Sequence, residues 1–182
     1  MSRRDTSHFS YRKAEMDDIP AVTAVMEAAI SELMNDFLSA DQVEASHEVM
    51  GLDTQLIKDG MYYLILEGDN IVGCGGWSNR ATLYGNNSTK GRDGTLLDPV
   101  RDAARIRAMY THPGHVRRGI GGLIMDLCEA KAAEHGFSSC ELMATLAGEP
   151  LYRSCGYETV TKEDALASNG VKVPLIKMRK PI

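Results

Sequence analysis

Residues 110–122 read YTHPGHVRRGIGG, and residues 123–135 continue as LIMDLCEAKAAEH. Apolar side chains alternate up to residue 110, as a strand requires, and the Pro-Gly pair at 113–114 ends that strand. From residue 120 the apolar side chains recur with helical spacing, and Gly136 stands where the cap of a helix C-terminus is expected. This stretch therefore predicts a strand, a tight glycine-rich loop and a helix.

The loop between that strand and that helix predicts an anion site. A helix N-terminus leaves backbone N–H groups unpaired and carries a partial positive charge. Glycines let a phosphate approach these groups closely, and arginines add guanidinium groups that suit phosphate oxygens. The loop matches neither a nucleotide-hydrolysing P-loop nor a G-x-G-x-x-G fingerprint, so a small molecule with a pyrophosphate is expected. The residues predicted to contact this molecule are Arg117, Arg118, Gly119, Ile120, Gly121 and Gly122.

This strand, loop and helix resemble the acetyl-CoA-binding motif of the GCN5-related N-acetyltransferase (GNAT) family. Residues 150–157, with the sequence PLYRSCGY, resemble the closing L-Y-x-x-x-G-[YF] segment of that family and follow at the expected distance. Val116 departs from the family pattern, which usually has Gln or Arg there, and Arg117 and Arg118 are expected to compensate. Both segments in order, with a predicted strand at 138–143 between them, are a specific signal.

The resemblance implies one mixed α/β (α+β) domain over residues 1–182. It has a central twisted mixed sheet of about six to seven strands, with helices on both faces. Length and composition agree, since 182 residues with 43% hydrophobic and 25% charged side chains suit one globular domain. Residues 1–8 are expected to form a flexible tail. Residues 78–103 are expected to form a long loop, interpreted as an acceptor-specific loop, a dimer contact or a mobile solvated insertion.

Periodicity predicts the remaining elements. Helices are expected after a cap at Asp18, at 39–50, at 53–58 as a short turn or helix, and within 147–155. Further strands are expected at 9–13, 61–66, 71–77, 157–161 and 171–178. The glycines inside 71–77 suggest a bulge or a close backbone approach. Candidates for an acceptor pocket, each also readable as packing, are Met34, Phe37, Leu38 and Trp77.

The resemblance implies acetyl transfer from acetyl-CoA to a primary amine by direct attack in a ternary complex. Met109, Tyr110 and Thr111 are expected to meet the cofactor, because in the family this strand splays from the next and the pantetheine arm fills the gap. A backbone N–H there would stabilise the oxyanion. Tyr152 is the expected acid for the departing thiolate, with packing under the cofactor as the alternative. A non-catalytic acyl-CoA-binding module is the alternative function.

The base that deprotonates the amine is not identified by the sequence. Many family members place a carboxylate on the central strand, but residues 105–109 read RIRAM here. Four carboxylates remain candidates, each more readily interpreted as a solvated surface group: Glu32, Asp36, Glu141 and Glu149.

Composition bounds the remaining function classes. The formal net charge of -5 disfavours a nucleic-acid binder and mildly favours cationic substrates. The sequence has no long apolar run, so no membrane span is expected. The four cysteines show no metal-ligand spacing and are interpreted mainly as buried thiols, which fits a reducing cytoplasm. No metal is implied, the acceptor is a small-molecule or protein amine, and a homodimer is expected by family analogy alone.

Overall fold

The structure is a computed structural model that describes residues 5–182. Seven strands form in these residues where apolar side chains alternate or where pairing with a neighbouring strand holds the chain extended. Positions 1–4 of the predicted tail at 1–8 lie outside these residues. The strands are β1 (Ser10–Lys13), β2 (Tyr62–Glu67), β3 (Asn70–Ser78), β4 (Ala104–Thr111), β5 (Ser139–Thr145), β6 (Glu158–Leu166) and β7 (Lys172–Pro181).

Helices fill most of the connections between these strands. Two short 3-10 turns, Met16–Asp18 and Pro113–His115, precede the longest two helices. The α-helices are α1 (Ile19–Leu33), α2 (Ala40–Val49), α3 (Thr54–Lys58), α4 (Ile120–Glu134) and α5 (Glu149–Ser154).

The seven described strands form one mixed sheet in the order β1-β2-β3-β4-β5-β7-β6. Neighbouring strands are antiparallel except β4 and β5, which run parallel. A crossover through α4 connects this parallel pair, as parallel strands require. The predicted mixed α/β architecture with about six to seven strands is confirmed.

Two apolar clusters lie on opposite faces of the sheet. Along β2, Tyr63 and Ile65 belong to the cluster under α4, whereas Tyr62 and Leu64 belong to the cluster under α1. The alternation follows from the two-residue period of a strand. Both faces of the central strands are therefore buried, and the helices of each face reach the same short segment of β4.

Glycines in β3 let α4 lie close to the sheet. A Cβ atom at Gly73 would come 2.5 Å from Cγ2 of Ile120, and one at Gly75 would come 2.7 Å from Cγ2 of Ile124. Both distances are too short for real carbon contacts. The predicted close backbone approach is therefore observed, and it fixes the distance between the first turn of α4 and the sheet.

Helix caps were only partly predictable. Ser39 caps α2 through a hydrogen bond from the Gln42 N–H, and the Gln42 side chain accepts from the Ser39 N–H in return. The predicted side-chain cap by Asp18 is wrong. Although Asp18 precedes α1, its carboxylate accepts from the Glu15 N–H and from Arg12, so it closes the preceding 3-10 turn.

The strand predicted at 157–161 is longer than expected. β6 continues to Leu166, so the polar residues that follow position 161 form its second half. The long loop predicted at 78–103 joins β3 to β4, and its two arms are connected by an isolated bridge between Arg80 and Leu96 and by side-chain hydrogen bonds.

Candidate active site

A gap opens between β4 and β5. The two strands share only two residue pairs, Ala104 with Cys140 and Arg105 with Glu141, whereas β4 continues to Thr111. The segment 106–111 therefore borders a space that has no strand on its β5 side. The splay expected from the family resemblance is present.

A bulge lies in β4 directly beside this gap. Ala108 has a φ of 50°, a left-handed conformation that is uncommon for a residue with a side chain. The pairing of β4 with β3 shifts at the same level, between Cys74 and Gly76. The Tyr62 hydroxyl donates a hydrogen bond to the carbonyl oxygen of Ala108 at 2.6 Å, which holds the distorted peptide in place.

Backbone groups after the bulge point into the gap. The N–H of His112 donates to the carbonyl oxygen of Val72 on β3 at 2.9 Å. Successive residues of a strand direct their backbone groups to opposite edges. Met109 and Thr111 therefore direct their N–H and C=O groups away from β3, toward the gap.

Tyr110 lies differently from its two neighbours. By the same alternation its backbone faces β3, where it pairs with Cys74. Its ring is buried among the side chains under α1, and its hydroxyl accepts a hydrogen bond from the Gly51 N–H at 2.9 Å. Tyr110 therefore holds β4 against the helices, while Met109 and Thr111 border the space predicted for the cofactor.

The gap leads to the N-terminus of α4. Gly119 occupies the N-cap position with a φ of 92°, and no side chain among the described residues caps this helix. The first N–H groups of α4 consequently have no intrahelical partner. Arg117, with a φ of 64°, turns the chain sharply just before the cap and is exposed. An uncapped 15-residue helix with an arginine beside its first turn is suited to an anion.

The two glycines within the first turn of α4 are not equivalent. A Cβ atom at Gly121 would lie 2.6 Å from Cδ2 of Leu151, so Gly121 is needed for the packing of α5 against α4. A Cβ atom at Gly122 would meet nothing within 4 Å. Gly122 is therefore the position of this turn that opens outward, where a ligand has room.

Arg118 is already engaged by a carboxylate. Its guanidinium makes a two-pronged contact with Glu67 at the end of β2 and lies over the ring of Phe9, 5.1 Å from the centroid. His115 Nε2 lies 3.2 Å from the same carboxylate. Glu67 thus offsets part of the positive charge that the sequence predicted for this loop.

Tyr152 lies on α5, next to Leu151, whose side chain packs against the first turn of α4. Its ring is half-buried and packs edge-on against Tyr157, with centroids 6.3 Å apart. Burial raises the pKa of Tyr152 above that of an ordinary tyrosine. The hydroxyl therefore keeps its proton at neutral pH, as a proton donor must before it acts.

A cavity of about 150 Å³ lies on the α1 face of the sheet, beside the bulge. Arg107, which directly precedes the bulge, is only 3% exposed, and it contacts Asp53 at 3.1 Å. Arg92, from the long loop, contacts the same Asp53 oxygen at 2.7 Å. The other residues that line the cavity are Gln55, Leu56, Ser78, Arg80, Thr82 and Gly94.

Asp53 remains ionised in this cavity. Burial acts to raise the pKa of its carboxyl, but the hydrogen bond from Arg92 and the charge of Arg107 outweigh burial and lower the pKa. At the neighbouring ion pair, the hydrogen bond from Arg80 lowers the pKa of Asp59. Both carboxylates therefore serve as anchors for arginines.

Hydrogen bonds attach the long loop to the rest of the molecule. Arg107 donates to the carbonyl oxygens of Thr82 and Gly85, both at 3.2 Å. Asn86 donates to the carbonyl oxygen of Met50 at 2.8 Å. Asn87 accepts from the Thr54 N–H at 2.9 Å. The interpretation as a solvated insertion does not account for these contacts, and the loop instead forms one wall of the cavity.

The interpretation of Glu141 as a solvated surface carboxylate is wrong. It is 7% exposed, and Arg105 Nη1 lies 2.6 Å from it. Lys177 and Arg179, on β7, each lie 3.4 Å from the same carboxylate. With three cations around it, Glu141 is an ion-pair centre. The other three candidate bases, Glu32, Asp36 and Glu149, lie at the surface or pair with Arg153.

The acceptor-pocket candidates Met34 and Trp77 are buried core residues. Trp77 packs between His135 and Phe137 on the α4 face, on the opposite side of the sheet from the arginine-lined cavity. Met34 belongs to the cluster under α1, and Phe37 is exposed. The residues that do line the cavity were missed. The signal for them was the pair Arg105 and Arg107, two charges within a strand whose other residues are mostly apolar.

Three of the four cysteines are buried, as predicted. Burial raises the pKa of Cys74 and that of Cys140 to about 12, so these thiols are unreactive at neutral pH. Within residues 5–182, no helix is long and apolar enough to cross a bilayer. The same residues contain no group of three or more side chains suited to hold a metal ion.

Comparison with known proteins identifies the family to which this chain belongs. The sequence model of the Acetyltransferase (GNAT) family matches residues 26–157, which include the bulged strand, the loop, α4 and α5. The chain therefore belongs to the GNAT family, and it is an acyltransferase. It is also similar to the uncharacterized N-acetyltransferase YjcF of Bacillus subtilis (strain 168), with 24% identity over 144 residues, 79% of this chain and 84% of YjcF.

Solved structures share the fold at low sequence identity. A GCN5-related N-acetyltransferase from Rhodopseudomonas palustris superposes with a TM-score of 0.70 and 20% identity, covering 100% of this chain and 98% of that one. The yncA protein of Salmonella typhimurium, solved with its cofactor acetyl-CoA, gives 0.60 and 15%, covering 96% and 94%. The family membership confirms, at family level, the expectation of acetyl-CoA as cosubstrate.

Proposed function

We propose that this chain binds acetyl-CoA along the gap between β4 and β5 and transfers its acetyl group to a primary amine. The observation that carries the proposal is the continuity of this gap with the uncapped N-terminus of α4. A long thin ligand with a pyrophosphate at one end fits that shape and charge. Its pantetheine arm takes the place of the missing strand pairing, and its pyrophosphate meets the first turn of α4.

Backbone groups hold and activate the thioester in this arrangement. The N–H and C=O groups of Met109 and Thr111 border the gap and serve the amide groups of pantetheine. An N–H fixed beside the bulge is also placed to bind the developing oxyanion, because it needs no reorganisation when charge appears. The phosphates are held by the first turn of α4 and by Arg117, with Arg118 already oriented by Glu67.

The reaction is a direct displacement. The amine nitrogen attacks the thioester carbonyl carbon, a C–N bond forms, and the C–S bond breaks. The thiolate of coenzyme A takes the proton of the Tyr152 hydroxyl, and the acetylated nitrogen gives up a proton. The buried carboxylates Asp53 and Glu141 are each bound to two or more cations. We therefore assign deprotonation of the amine to water. We also propose that the protein is cytoplasmic. Its assembly as a homodimer stays a prediction.

Calorimetric titration of acetyl-CoA tests the cofactor site. The variant Gly122→Asp adds a negative charge at an open position of the α4 turn, whereas Gly122→Ala adds only a methyl group there. We expect Gly122→Asp to bind at least about tenfold more weakly, since like charges repel at a helix N-terminus. Gly122→Ala should bind like wild type. Gly121 is unsuitable, because any side chain there displaces Leu151.

Two results would count against the proposal. One is the absence of acetyl-CoA binding by the wild type, and the other is equal binding by wild type and Gly122→Asp. Thermal unfolding of all three proteins provides the control. The substitutions face open space and replace a glycine within a helix, so neither should lower the melting temperature. If acetyl-CoA binds but no amine in an acceptor screen releases free thiol, the chain acts as a binding module instead.

A further inference from the structure

Cations outnumber carboxylates on the α1 face of β4. Arg92 and Arg107 share the single carboxylate of Asp53, and Arg80 binds Asp59. Two residues earlier on β4, Arg105 shares Glu141 with two cations of β7. Six cations thus face three carboxylates in this cluster, in a chain whose formal net charge is -5. We call this cluster the cationic wall: Asp53, Asp59, Arg80, Arg92, Arg105, Arg107, Glu141, Lys177 and Arg179.

The two parts of the wall are continuous. Arg105 and Arg107 are alternate residues of one strand and therefore share a face. Arg107 donates to the carbonyl oxygen of Thr82 at 3.2 Å, and Arg105 Nε lies 3.4 Å from that of Ala81. The same arm of the long loop thus covers both guanidinium groups, and the cavity of about 150 Å³ opens beside Arg107.

The wall lies where the gap closes. Arg105 and Glu141 form the last residue pair between β4 and β5, and Arg107 directly precedes the bulge at Ala108. Under the proposed function, on which this inference rests, the thioester reaches this point and the acceptor amine must meet it there. The remainder of the acceptor then lies against the cationic wall.

Burial makes the excess of cations significant. Arg107 is 3% exposed, and water cannot solvate its charge as it solvates a surface arginine. Within residues 5–182, Asp53 is its only carboxylate partner, and Asp53 is shared with Arg92. Arg92 carries five N–H donors and is partly exposed to the cavity. A second anion brought into the cavity would be bound by guanidinium groups that are already oriented, which is the arrangement that selects carboxylates and phosphates.

We propose that the acceptor is a small primary amine that also carries a carboxylate or a phosphate, and that the cationic wall binds this anionic group. This selectivity is opposite in sign to the preference for cationic substrates suggested by the net charge of the chain. Polyamines, which carry only positive charge, should be poor acceptors, because the wall repels them.

Matched acceptor pairs test this assignment by release of free thiol from acetyl-CoA. The pairs are alanine with alaninamide and phosphoethanolamine with ethanolamine, and spermidine is the cationic member. In at least one pair, we expect kcat/KM to be about tenfold or more higher for the anionic member, as hydrogen bonds between charged groups allow. Spermidine should be no better than ethanolamine.

Variants of Arg92 separate recognition from structure. Arg92→Gln should raise KM for the anionic acceptor about tenfold and leave KM for acetyl-CoA unchanged. The loss in kcat/KM for the matched acceptor that lacks the anionic group, which reflects only a loosened loop, should be clearly smaller. Arg92→Lys keeps the charge and should restore part of the loss. Arg101→Gln is the matched control, since Arg101 belongs to the same loop but is exposed and pairs with Asp98 away from the cavity.

The outcomes distinguish this inference from the proposed function. Turnover of alaninamide, ethanolamine and spermidine that equals or exceeds that of alanine and phosphoethanolamine would overturn the inference alone. Failure to acetylate either alanine or phosphoethanolamine despite tight acetyl-CoA binding would do the same. A loss in Arg92→Gln that affects neutral and anionic acceptors equally would also overturn it, because the loss would then reflect a loosened loop. Absence of acetyl-CoA binding would overturn the proposed function, and the inference with it.

Discussion

Substitution of Tyr152 tests the proposed protonation of the departing thiolate. Tyr152→Phe removes the hydroxyl but keeps the ring that packs against Tyr157. We expect kcat to fall by up to about 10²-fold, the low end of general acid effects, with KM for acetyl-CoA unchanged. Because burial raises the pKa of Tyr152, the wild-type kcat should show no loss of this acid until the pH exceeds about 10. Steady-state thiol release from pH 6 to 10 measures both.

Tyr157 provides the matched control for that substitution. Its hydroxyl is buried without a hydrogen-bond partner among the described residues. Tyr157→Phe should therefore leave both kcat and the pH profile unchanged. An unchanged kcat in Tyr152→Phe, or an equal loss in both variants, would assign Tyr152 to packing alone.

Individual residues of the cofactor loop could be located from the sequence, but their partners could not. The motif placed Arg118 in a loop before a helix and Gly121 next to it, and Gly121 lies in the first turn of that helix. The steric need for Gly121 comes from Leu151, and the partner of Arg118 is Glu67, which lies 51 residues earlier. Periodicity describes which face a residue takes within its own element, and it contains no information about which distant residue meets that face.

We expect the long loop between β3 and β4 to detach in acid before the rest of the fold is lost. Asp53 and Asp59 anchor it through Arg92 and Arg80. Because folding lowers the pKa of both carboxyls, their stabilisation is present above the ordinary Asp value of about 3.9. It is lost as the pH falls through the lowered folded-state values. We expect pepsin to cleave within residues 79–103 at a higher pH than that at which far-UV circular dichroism reports unfolding.

Variants measured at neutral pH test the same ion pairs without acid. Asp59→Asn should expose the loop to trypsin at pH 7, since Arg80 then loses its charged partner. Asp98→Asn removes only an exposed pair within the loop and should leave the cleavage rate unchanged. Simultaneous loss of loop protection and of the whole fold in acid would contradict the assignment of these ion pairs to the loop.

Elements buried on one or both faces were predicted well, and the exposed edge was not. The strands at the centre of the sheet lie within one to three residues of their predicted bounds. β6 was read too short because eight of its nine residues are exposed, so no apolar alternation marks its second half. Its strand conformation comes from pairing with β7, a tertiary effect that overrides local pattern.

At the scale of the whole molecule, the sheet has two halves with little strand pairing between them, and one apolar cluster under α4 packs against both. β1 to β4 form one half, and β5, β7 and β6 form the other, joined by two residue pairs. A ligand in the gap contacts both halves of the sheet, and it can do so only when the chain is folded. At 100 times its Kd, acetyl-CoA should therefore stabilise the fold by about 2.7 kcal/mol, which raises Tm by roughly 5–10 °C for a domain of this size.

Thermal unfolding with pantetheine in place of acetyl-CoA separates the contributions of the gap and of the loop. Pantetheine lacks the pyrophosphate, so at equal concentration we expect a clearly smaller rise in Tm. An equal rise with both ligands would show that the N-terminus of α4 contributes nothing to binding.

The attachment of the long loop also has an evolutionary consequence. This segment supplies one wall of the cavity beside the bulge. Ion pairs of Arg80 and Arg92 attach it to Asp59 and Asp53, which lie outside the loop. A transplanted loop that keeps those two arginines could therefore change which molecules are accepted while the neighbouring half of the sheet stays intact. Diversification of substrate range in this architecture then needs recombination of one segment rather than redesign of the fold.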